Sequence, residues 1–203
     1  MREPDFANIV RICRQTRPSR PTLFELGLSR RLLLHFTGHD AWEESPRQFH
    51  PHCVLGYRKA GYDYCLFKVG RFAFPGGSSH RKSSVSLNEG ALITDRESLE
   101  NYPWPDPDMG EYEELDHLSR CLPEGMKIIV WAPGGVLENA VRIVGYENLC
   151  IMSMTDPELT GRIFNEIGSR LVSYYTRCLE YPGVGGVIGN DDWGFKTQTM
   201  FEP

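Results

Sequence analysis

The sequence predicts an α/β fold built on a parallel sheet, and two observations lead to this prediction. Four short apolar runs alternate along the chain with stretches whose apolar residues recur at helical spacing. These runs are apolar at successive positions rather than at every second one, which is typical of parallel strands that helices cover on both faces. No internal repeat of roughly 20–50 residues is visible.

Composition and charge favour a globular protein. The chain has 203 residues, of which 40% are hydrophobic and 24% are charged, as in one folded domain of ordinary size, with two small domains as the alternative. Its 22 basic and 27 acidic side chains give a net charge of −5. This charge disfavours sequence-independent binding to nucleic acid, because such binding needs a basic face.

The sequence also predicts a reduced, cytoplasmic protein that does not enter a membrane. No apolar run approaches the roughly 20 residues of a membrane helix. The charged N-terminal residues lack the apolar core of a secretory leader. The six cysteines are scattered without a CxxC pair, unlike the dense disulfide frameworks of small secreted proteins.

The N-terminal part of the chain predicts two helices with a strand between them. Residues 4–16 have an amphipathic pattern, and prolines at 18 and 21 end it; its apolar stripe is Phe6, Ile9, Val10 and Cys13. The run 22–26 is apolar except for Glu25, and we expect it to be a fully buried first strand. Residues 29–37 again have helical spacing and end at Gly38.

The next part of the chain predicts a second strand followed by a long irregular segment. A weaker helical stretch at 41–60, broken by two prolines, leads into a strand at 62–69. Segment 71–110 combines short β-like runs, one of them at 85–87, with glycine-rich and proline-rich stretches. We therefore expect a single domain over 1–203 with a lid-like excursion at about 71–110.

Two further strands are predicted in the C-terminal part. A short acidic helix at 111–121 precedes a third strand at 126–131, and another helix follows at about 136–145. The glycine-rich run 184–189 is the fourth strand.

A long helix begins near Thr155, and its start has two alternative interpretations. Thr155 and Glu158 have the spacing of a capping box, whereas Pro157 suits the first helical position if Asp156 is the cap. Only one of these arrangements can form.

The strongest candidate for chemistry is a pair of acids just after the fourth strand. Asp191 and Asp192 precede Trp193, at the edge of a parallel sheet where ligands usually bind. Two neighbouring carboxylates repel each other when buried, so one of them should pair with a base, a metal or a proton. The competing interpretation is that one aspartate only caps the following turn.

Two charged side chains on other strands are further candidates. Glu25 lies in the first predicted strand, where a carboxylate must be paired or face a cavity, and a buried ion pair explains it equally well. Lys68 lies near the end of the second strand and can meet an anionic ligand or a neighbouring acid. We predict that Glu25, Asp191, Asp192 and Trp193 converge on one pocket at the carboxyl ends of the strands.

The histidines and the glycine-rich run are better explained without a ligand. Three potential metal ligands fall within 50–53, and His35 and His39 are one helical turn apart. Neither group has the paired spacing of a zinc site, so we interpret them as surface histidines. The run 183–189 has Ile188 where G-x-G-x-x-G requires glycine, so its glycines indicate close packing or close approach of a ligand.

Five short stretches share one further pattern. They are 21–25 (PTLFE), 60–64 (AGYDY), 131–135 (WAPGG), 155–159 (TDPEL) and 189–194 (GNDDWG). Together they resemble the uroporphyrinogen decarboxylase family, in the branch that also holds corrinoid-linked methyltransferases. The resemblance, from about residue 5 to 203, implies a (β/α)8 TIM-type barrel that is truncated here to about its first four βα units.

The resemblance also implies a function. It favours methyl transfer between a small methylated substrate and a corrinoid carrier protein. The alternative is decarboxylation of a tetrapyrrole, but residues 25–31 (ELGLSRR) replace the family's R-Q-A-G-R loop, and Gly70 stands in place of its F-S-D aspartate. A third alternative is a catalytically inactive truncated barrel.

The same resemblance assigns roles to residues. Asp191, Asp192 and Glu25 are the candidate catalytic residues. The candidates for substrate binding are Trp193, Trp131, Lys68 and Asn139, the last of which falls near the place of a family tyrosine. The family's zinc ligands lie in the second half of the barrel, so we expect no metal and no cofactor within this chain, and zinc and a corrinoid only in a full-length homologue.

Half a barrel would leave two open sheet edges and an apolar inner face. If the 203-residue chain is complete, we therefore expect a homodimer. In that dimer the fourth strand of each copy would lie beside the first strand of the other and close the sheet.

Overall fold

The computed structural model describes residues 2–42, 45–76, 91–194 and 196–200. These ranges contain helices and short parallel strands, together with one 3-10 turn at Pro107–Met109. The elements are α1 (Ala7–Cys13), α2 (Arg30–Thr37), α3 (Pro46–Ala60), β1 (Tyr64–Phe67), α4 (Arg96–Asn101), α5 (Glu113–Cys121), β2 (Lys127–Trp131), α6 (Val136–Val144), α7 (Tyr146–Thr155), α8 (Pro157–Leu179) and β3 (Val184–Ile188). Among the described helices, none combines the length and the apolar character that crossing a membrane requires.

The sheet is open and has three strands, so the prediction of a barrel with four βα units is wrong. β1, β2 and β3 lie in that order and are parallel, with Leu66 paired to Ile129 and Val130 paired to Val187. Within the described part of the chain, the two outer strands have no further strand beside them. The homodimer expected from a half-barrel stays a prediction.

The segment predicted as the first strand is exposed coil. Residues 22–26 form no strand, and the side chains of Leu23, Phe24 and Leu26 are 44%, 57% and 54% exposed. The backbone of Glu25 is hydrogen-bonded by a side chain instead of by a neighbouring strand. The Tyr64 hydroxyl accepts a hydrogen bond from the Glu25 N–H (2.7 Å) and donates one to the Glu25 carbonyl oxygen (2.6 Å). The Tyr64 side chain thus links segment 22–26 to β1, although the segment forms no backbone hydrogen-bond pairing with that strand.

The described residues form two compact units, each made of separated segments of the chain. The first unit comprises 1–70, 111–131 and 176–188, and the second comprises 71–110, 132–175 and 189–203.

The first unit contains the sheet. β1 and β2 are buried at their centres, where Cys65, Ile128 and Val130 are fully inaccessible, which accounts for their apolar sequences. β3 is half-buried, with Gly185 exposed. Helix α3 packs against both β1 and α5.

A buried carboxylate ties the N-terminal residues to the start of β1. Asp63 is inaccessible to solvent and accepts a hydrogen bond from the Asp5 N–H at 2.8 Å. The guanidinium of Arg2 lies 3.1 Å from it, and Arg20 forms a second ion pair. Because a buried charge is costly without partners, these three contacts stabilise the approach of residues 2–20 to the sheet.

The second unit is helical. The ring of Phe72 stacks on Tyr174 with centroids 4.7 Å apart, and both side chains are buried. Ile93, Leu99 and Tyr102 are also buried, so the described ends of segment 71–110 supply core side chains. The β run expected at 85–87 lies outside the described residues.

The start of α8 decides between the two capping alternatives. The Asp156 carboxylate accepts a hydrogen bond from the Leu159 N–H at 3.0 Å, and Pro157 is the first residue of the helix. Thr155 is the last residue of α7. Asp156 is therefore the cap.

Candidate functional site

The residues predicted for the site fall into two groups. Glu25, Lys68 and Trp131 belong to the first unit, whereas Asn139 and the segment 191–193 belong to the second. The convergence of Glu25 with the two aspartates stays a prediction.

Asp191 caps the N-terminus of α6. Its two carboxylate oxygens accept hydrogen bonds from the N–H groups of Leu137 (2.8 Å) and Glu138 (3.0 Å). The Trp193 indole N–H donates a third, at 2.8 Å. The first backbone N–H groups of a helix have no partner within the helix, and a negative charge there is favourable. Asp191 thus caps a helix more than fifty residues earlier in the chain, rather than the turn that follows it.

The turn before α6 is held by Asn139. Its buried side-chain NH₂ donates to the carbonyl oxygens of Pro133 (3.1 Å) and Gly135 (2.7 Å), and its amide oxygen accepts from Arg142. Gly134 has φ +87°, which explains a glycine in this turn. Asn139, predicted to bind substrate, positions the turn on which Asp191 rests.

Asp192 and Trp193 remain accessible. The Asp192 carboxylate accepts only a local hydrogen bond, from the Gly194 N–H at 3.2 Å, among the contacts described for it. The Trp193 side chain is 44% exposed, and its ring centroid lies 6.0 Å from that of Phe164.

Glu25 is exposed, so the premise of a buried carboxylate is wrong. One of its carboxylate oxygens accepts a hydrogen bond from the neighbouring Leu26 N–H at 2.8 Å. Two arginines near it in the sequence pair elsewhere, Arg20 with Asp63 and Arg30 with Asp40.

A cavity that the sequence did not reveal lies in the first unit at the carboxyl end of β1. Its volume is about 380 Å³, within the range of roughly 300–1,000 Å³ that small-molecule sites occupy. We call it the β1 cavity, and its lining residues are Trp42, Phe49, His50, Phe67, Lys68, Gly70, Glu111 and Glu114.

Aromatic rings form one wall of the β1 cavity. The rings of Trp42 and Phe49 meet edge to face, with centroids 5.7 Å apart and planes at 89°. The Trp42 side chain is 50% exposed, so half of its surface is open to a ligand or to water. Phe67 is the last residue of β1, and the centroid of its ring lies 5.2 Å from that of the His50 ring.

Two glutamates are the acidic side chains of the lining. The Glu111 N–H donates to the Gly70 carbonyl oxygen at 3.2 Å, and a Cβ at position 70 would collide with the Glu111 carboxylate. Burial raises the pKa of Glu114, and the nearby charge of Glu111 raises it further. Two partly dehydrated carboxylates in one small cavity favour a positively charged neighbour.

Lys68 and Trp131, both predicted for the site, do lie together. The Lys68 Nζ is 5.9 Å from the centroid of the Trp131 ring, at the carboxyl ends of β1 and β2. This distance suits a cation–π contact.

The interpretation of the histidines as surface residues is wrong for His50. Its side chain is 2% exposed, and its Nδ1 lies 3.1 Å from the Nδ1 of His117. Burial, together with the charge of His117, lowers the pKa of His50 to about 4. Pro51 lies inside α3 without ending it.

A signal for His50 was present in the sequence. His50 shares with Cys53, Val54 and Tyr57 the spacing i, i+3, i+4, i+7, and all four are buried. Glu111 and Glu114 gave no comparable signal, because only the fold brings them to Gly70.

The expectation that the zinc ligands of the methyltransferase branch lie outside this chain stays a prediction. Across 2–42, 45–76, 91–194 and 196–200, no three His, Cys, Asp or Glu side chains are grouped so that they could hold a metal ion. We therefore assign no step to zinc.

Comparison of the chain with protein-family models, with curated proteins and with solved structures found no match.

Proposed function

We propose that this protein binds a small methylated substrate in the β1 cavity and transfers its methyl group to a corrinoid on a carrier protein. The sequence resemblance suggests the reaction. The main observation in support of this site is a cavity of about 380 Å³ at the carboxyl end of a parallel strand, lined by aromatic and ionisable side chains. In α/β proteins this edge is the usual place for a ligand.

In this reaction the corrinoid is the second substrate and accepts the methyl group. The bond between the methyl carbon and the leaving atom breaks, and its electron pair stays with the leaving atom. As that bond breaks, the electron pair of the reduced, Co(I) corrinoid forms the new bond to the methyl carbon, so that cobalt formally becomes Co(III). The role of Trp42, Phe49 and Phe67 is to hold the substrate and exclude water, which keeps the reacting atoms in one geometry.

The lining of the cavity supports methyl transfer over decarboxylation of a tetrapyrrole. A tetrapyrrole that carries several carboxylates needs several cationic groups. The described lining offers one lysine, Lys68, beside the two glutamates Glu111 and Glu114. Like charges would repel such a substrate.

The test is a methyl-transfer assay with free cobalamin reduced to Co(I) as the acceptor. Methylated amines, thioethers and methoxy compounds serve as donors, and the loss of Co(I) absorbance is followed with and without protein. We expect a protein-dependent loss with at least one donor, and a reduced rate for Trp42→Ala. Phe24→Ala removes an exposed aromatic side chain outside the cavity lining and should leave the rate unchanged.

Two results would overturn the proposal. One is the absence of protein-dependent methyl transfer from every donor class. The other is an unchanged rate in Trp42→Ala, because the site would then lie outside the β1 cavity. Circular dichroism of each variant checks that the fold is retained.

A further inference from the structure

We infer that the β1 cavity selects a methylated ammonium cation over a neutral or anionic compound of the same shape. This names the class of methylated substrate and rests on the proposed function in that respect. The inference itself concerns binding, so it is tested without a corrinoid.

The charge of the lining favours a cation. Glu111 and Glu114 supply two carboxylates, and Lys68 supplies one ammonium group, whose Nζ lies over the Trp131 ring. The buried His50 ring is neutral near pH 7, because its pKa is lowered to about 4. The lining thus carries a formal charge of −1.

The aromatic wall is a separate observation, and it favours a methylated cation in particular. Cations bind over aromatic faces, tryptophan best, and such contacts recognise quaternary ammonium groups in proteins. Trp42 offers a half-exposed indole that meets the Phe49 ring edge to face, and Phe67 is a third aromatic side chain of the lining. Methyl groups on nitrogen spread the positive charge over an apolar surface, which aromatic rings cover without leaving a hydrogen-bond donor unsatisfied.

Other cations suit the cavity less well. A divalent metal needs several oxygen or nitrogen donors converging on one point. Within the described part of the chain, no such group of three His, Cys, Asp or Glu residues exists. Three of the eight lining residues are aromatic and supply no oxygen.

The experiment compares choline with 3,3-dimethylbutan-1-ol, in which carbon replaces the charged nitrogen and the shape is kept. Calorimetric titration of the full chain with each compound gives the two affinities. A desolvated cation–π contact of about 2 kcal/mol predicts that choline binds at least about tenfold more tightly. Propionate, a small anion, should show no binding.

Charge variants locate the site. Glu111→Gln and Glu114→Gln should each weaken choline binding, and Lys68→Met should strengthen it because a competing cation is removed. Glu113→Gln is the matched control: Glu113 is next to Glu114 on α5 but does not line the β1 cavity. It should change the affinity less than twofold.

Several results would overturn the inference. They are equal affinity for choline and its neutral analogue, tighter binding of the anion, and weaker choline binding in Lys68→Met. The two proposals fail separately. Choline binding without methyl transfer from any donor counts against the proposed function alone. Methyl transfer from an uncharged donor, with no choline binding, counts against this inference alone.

Discussion

At the N-terminus of α6, the Asp191 carboxylate accepts hydrogen bonds from two backbone N–H groups that have no partner within the helix. Replacing Asp191 with alanine should therefore lower the free energy of unfolding by about 1–2 kcal/mol, as the loss of a helix cap does. Asp191→Asn keeps an acceptor oxygen and should cost less. Urea unfolding followed by circular dichroism measures both.

Asp192→Ala is the control for this prediction. The Asp192 side chain is exposed, and the hydrogen bond described for it is local, so its removal should change stability little. Equal losses in Asp191→Ala and Asp192→Ala would contradict the capping role.

His50 makes stability depend on pH. Its pKa in the folded protein is lowered to about 4, whereas a histidine in an unfolded chain titrates near pH 6.5. Below pH 6.5 the unfolded state therefore takes up a proton that the folded state refuses, so the free energy of unfolding should fall as the pH drops from about 6.5 to 4. His50→Gln has no such titrating group. The free energy of unfolding of the wild type should therefore fall relative to that of His50→Gln as the pH drops from about 6.5 to 4.

A second variant separates the two causes of the shift. His117→Gln removes the neighbouring charge but leaves the burial of His50, which is the larger cause. It should flatten the pH profile less than His50→Gln does. Parallel profiles for the wild type and His50→Gln, measured by urea unfolding at several pH values, would refute the assignment.

Among the elements, β3 contains two adjacent glycines with opposite surroundings. A Cβ at Gly185 would lie 2.6 Å from the Phe6 ring and 2.7 Å from the Lys127 Cβ, whereas one at Gly186 would meet nothing within 4 Å. Gly185→Ala should therefore destabilise the protein by about 1–3 kcal/mol through overpacking. Thermal unfolding with a matched chemical denaturation measures the loss.

Gly186→Ala provides the internal control, since it lies on the same strand. It should be neutral or slightly stabilising, because alanine loses less backbone freedom on folding than glycine. Similar destabilisation by both substitutions would mean that β3 needs glycine for its backbone and not for the approach of Phe6.

β1 and β2 were predictable because their sequences are apolar on both faces, as the buried Cys65, Ile128 and Val130 require. β3 was predicted from a glycine-rich apolar run, although it is only half-buried. The run 22–26 has the same pattern but lies in exposed coil, since sequence alone does not show whether a neighbouring strand exists. Helix α7 was missed because Leu149 and Met152 are buried while Ile151 and Met154 are exposed, so its apolar residues mark no single face.

The candidate site was predictable only where one residue carried the signal. Lys68 was a candidate because it lies near a strand end, and it lines the β1 cavity. Trp131 lies beside Lys68 but is not among the lining residues. Glu111 reaches the β1 cavity through a contact with Gly70 that spans about forty residues of chain. A helix cap and a reacting carboxylate can occupy the same position after a strand, so the sequence alone did not show that Asp191 caps α6.

For the molecule as a whole, the six thiols divide by accessibility. Cys13 is exposed, Cys121 and Cys150 are half-buried, and the remaining three are buried: Cys53, Cys65 and Cys178. Because the thiolate is the reacting form, the raised pKa of the partly buried Cys121 slows it further. Titration of the native protein with a thiol-specific disulfide reagent should show one fast thiol and three that react only on unfolding.

Cys13→Ser should remove the fast phase and leave the slow ones. Cys65 should be among the last to react, since a hydrogen bond with Cys53, whose Sγ lies 3.5 Å away, and burial both raise its pKa. A fast phase of four or more thiols would contradict the burial of Cys53, Cys65 and Cys178.

The order of the strands along the chain governs how the sheet can form during synthesis. β1 ends at Phe67, but β2 ends at Trp131 and β3 only at Ile188. At roughly 5–20 residues per second, a ribosome completes β2, the described strand that pairs with β1, about 3–13 s after β1. Throughout that interval the apolar strand Tyr64–Phe67 is a nascent segment whose partner strand does not yet exist. The yield of folded protein should therefore depend on translation speed and on chaperones that shield this strand, separately from the stability of the finished molecule.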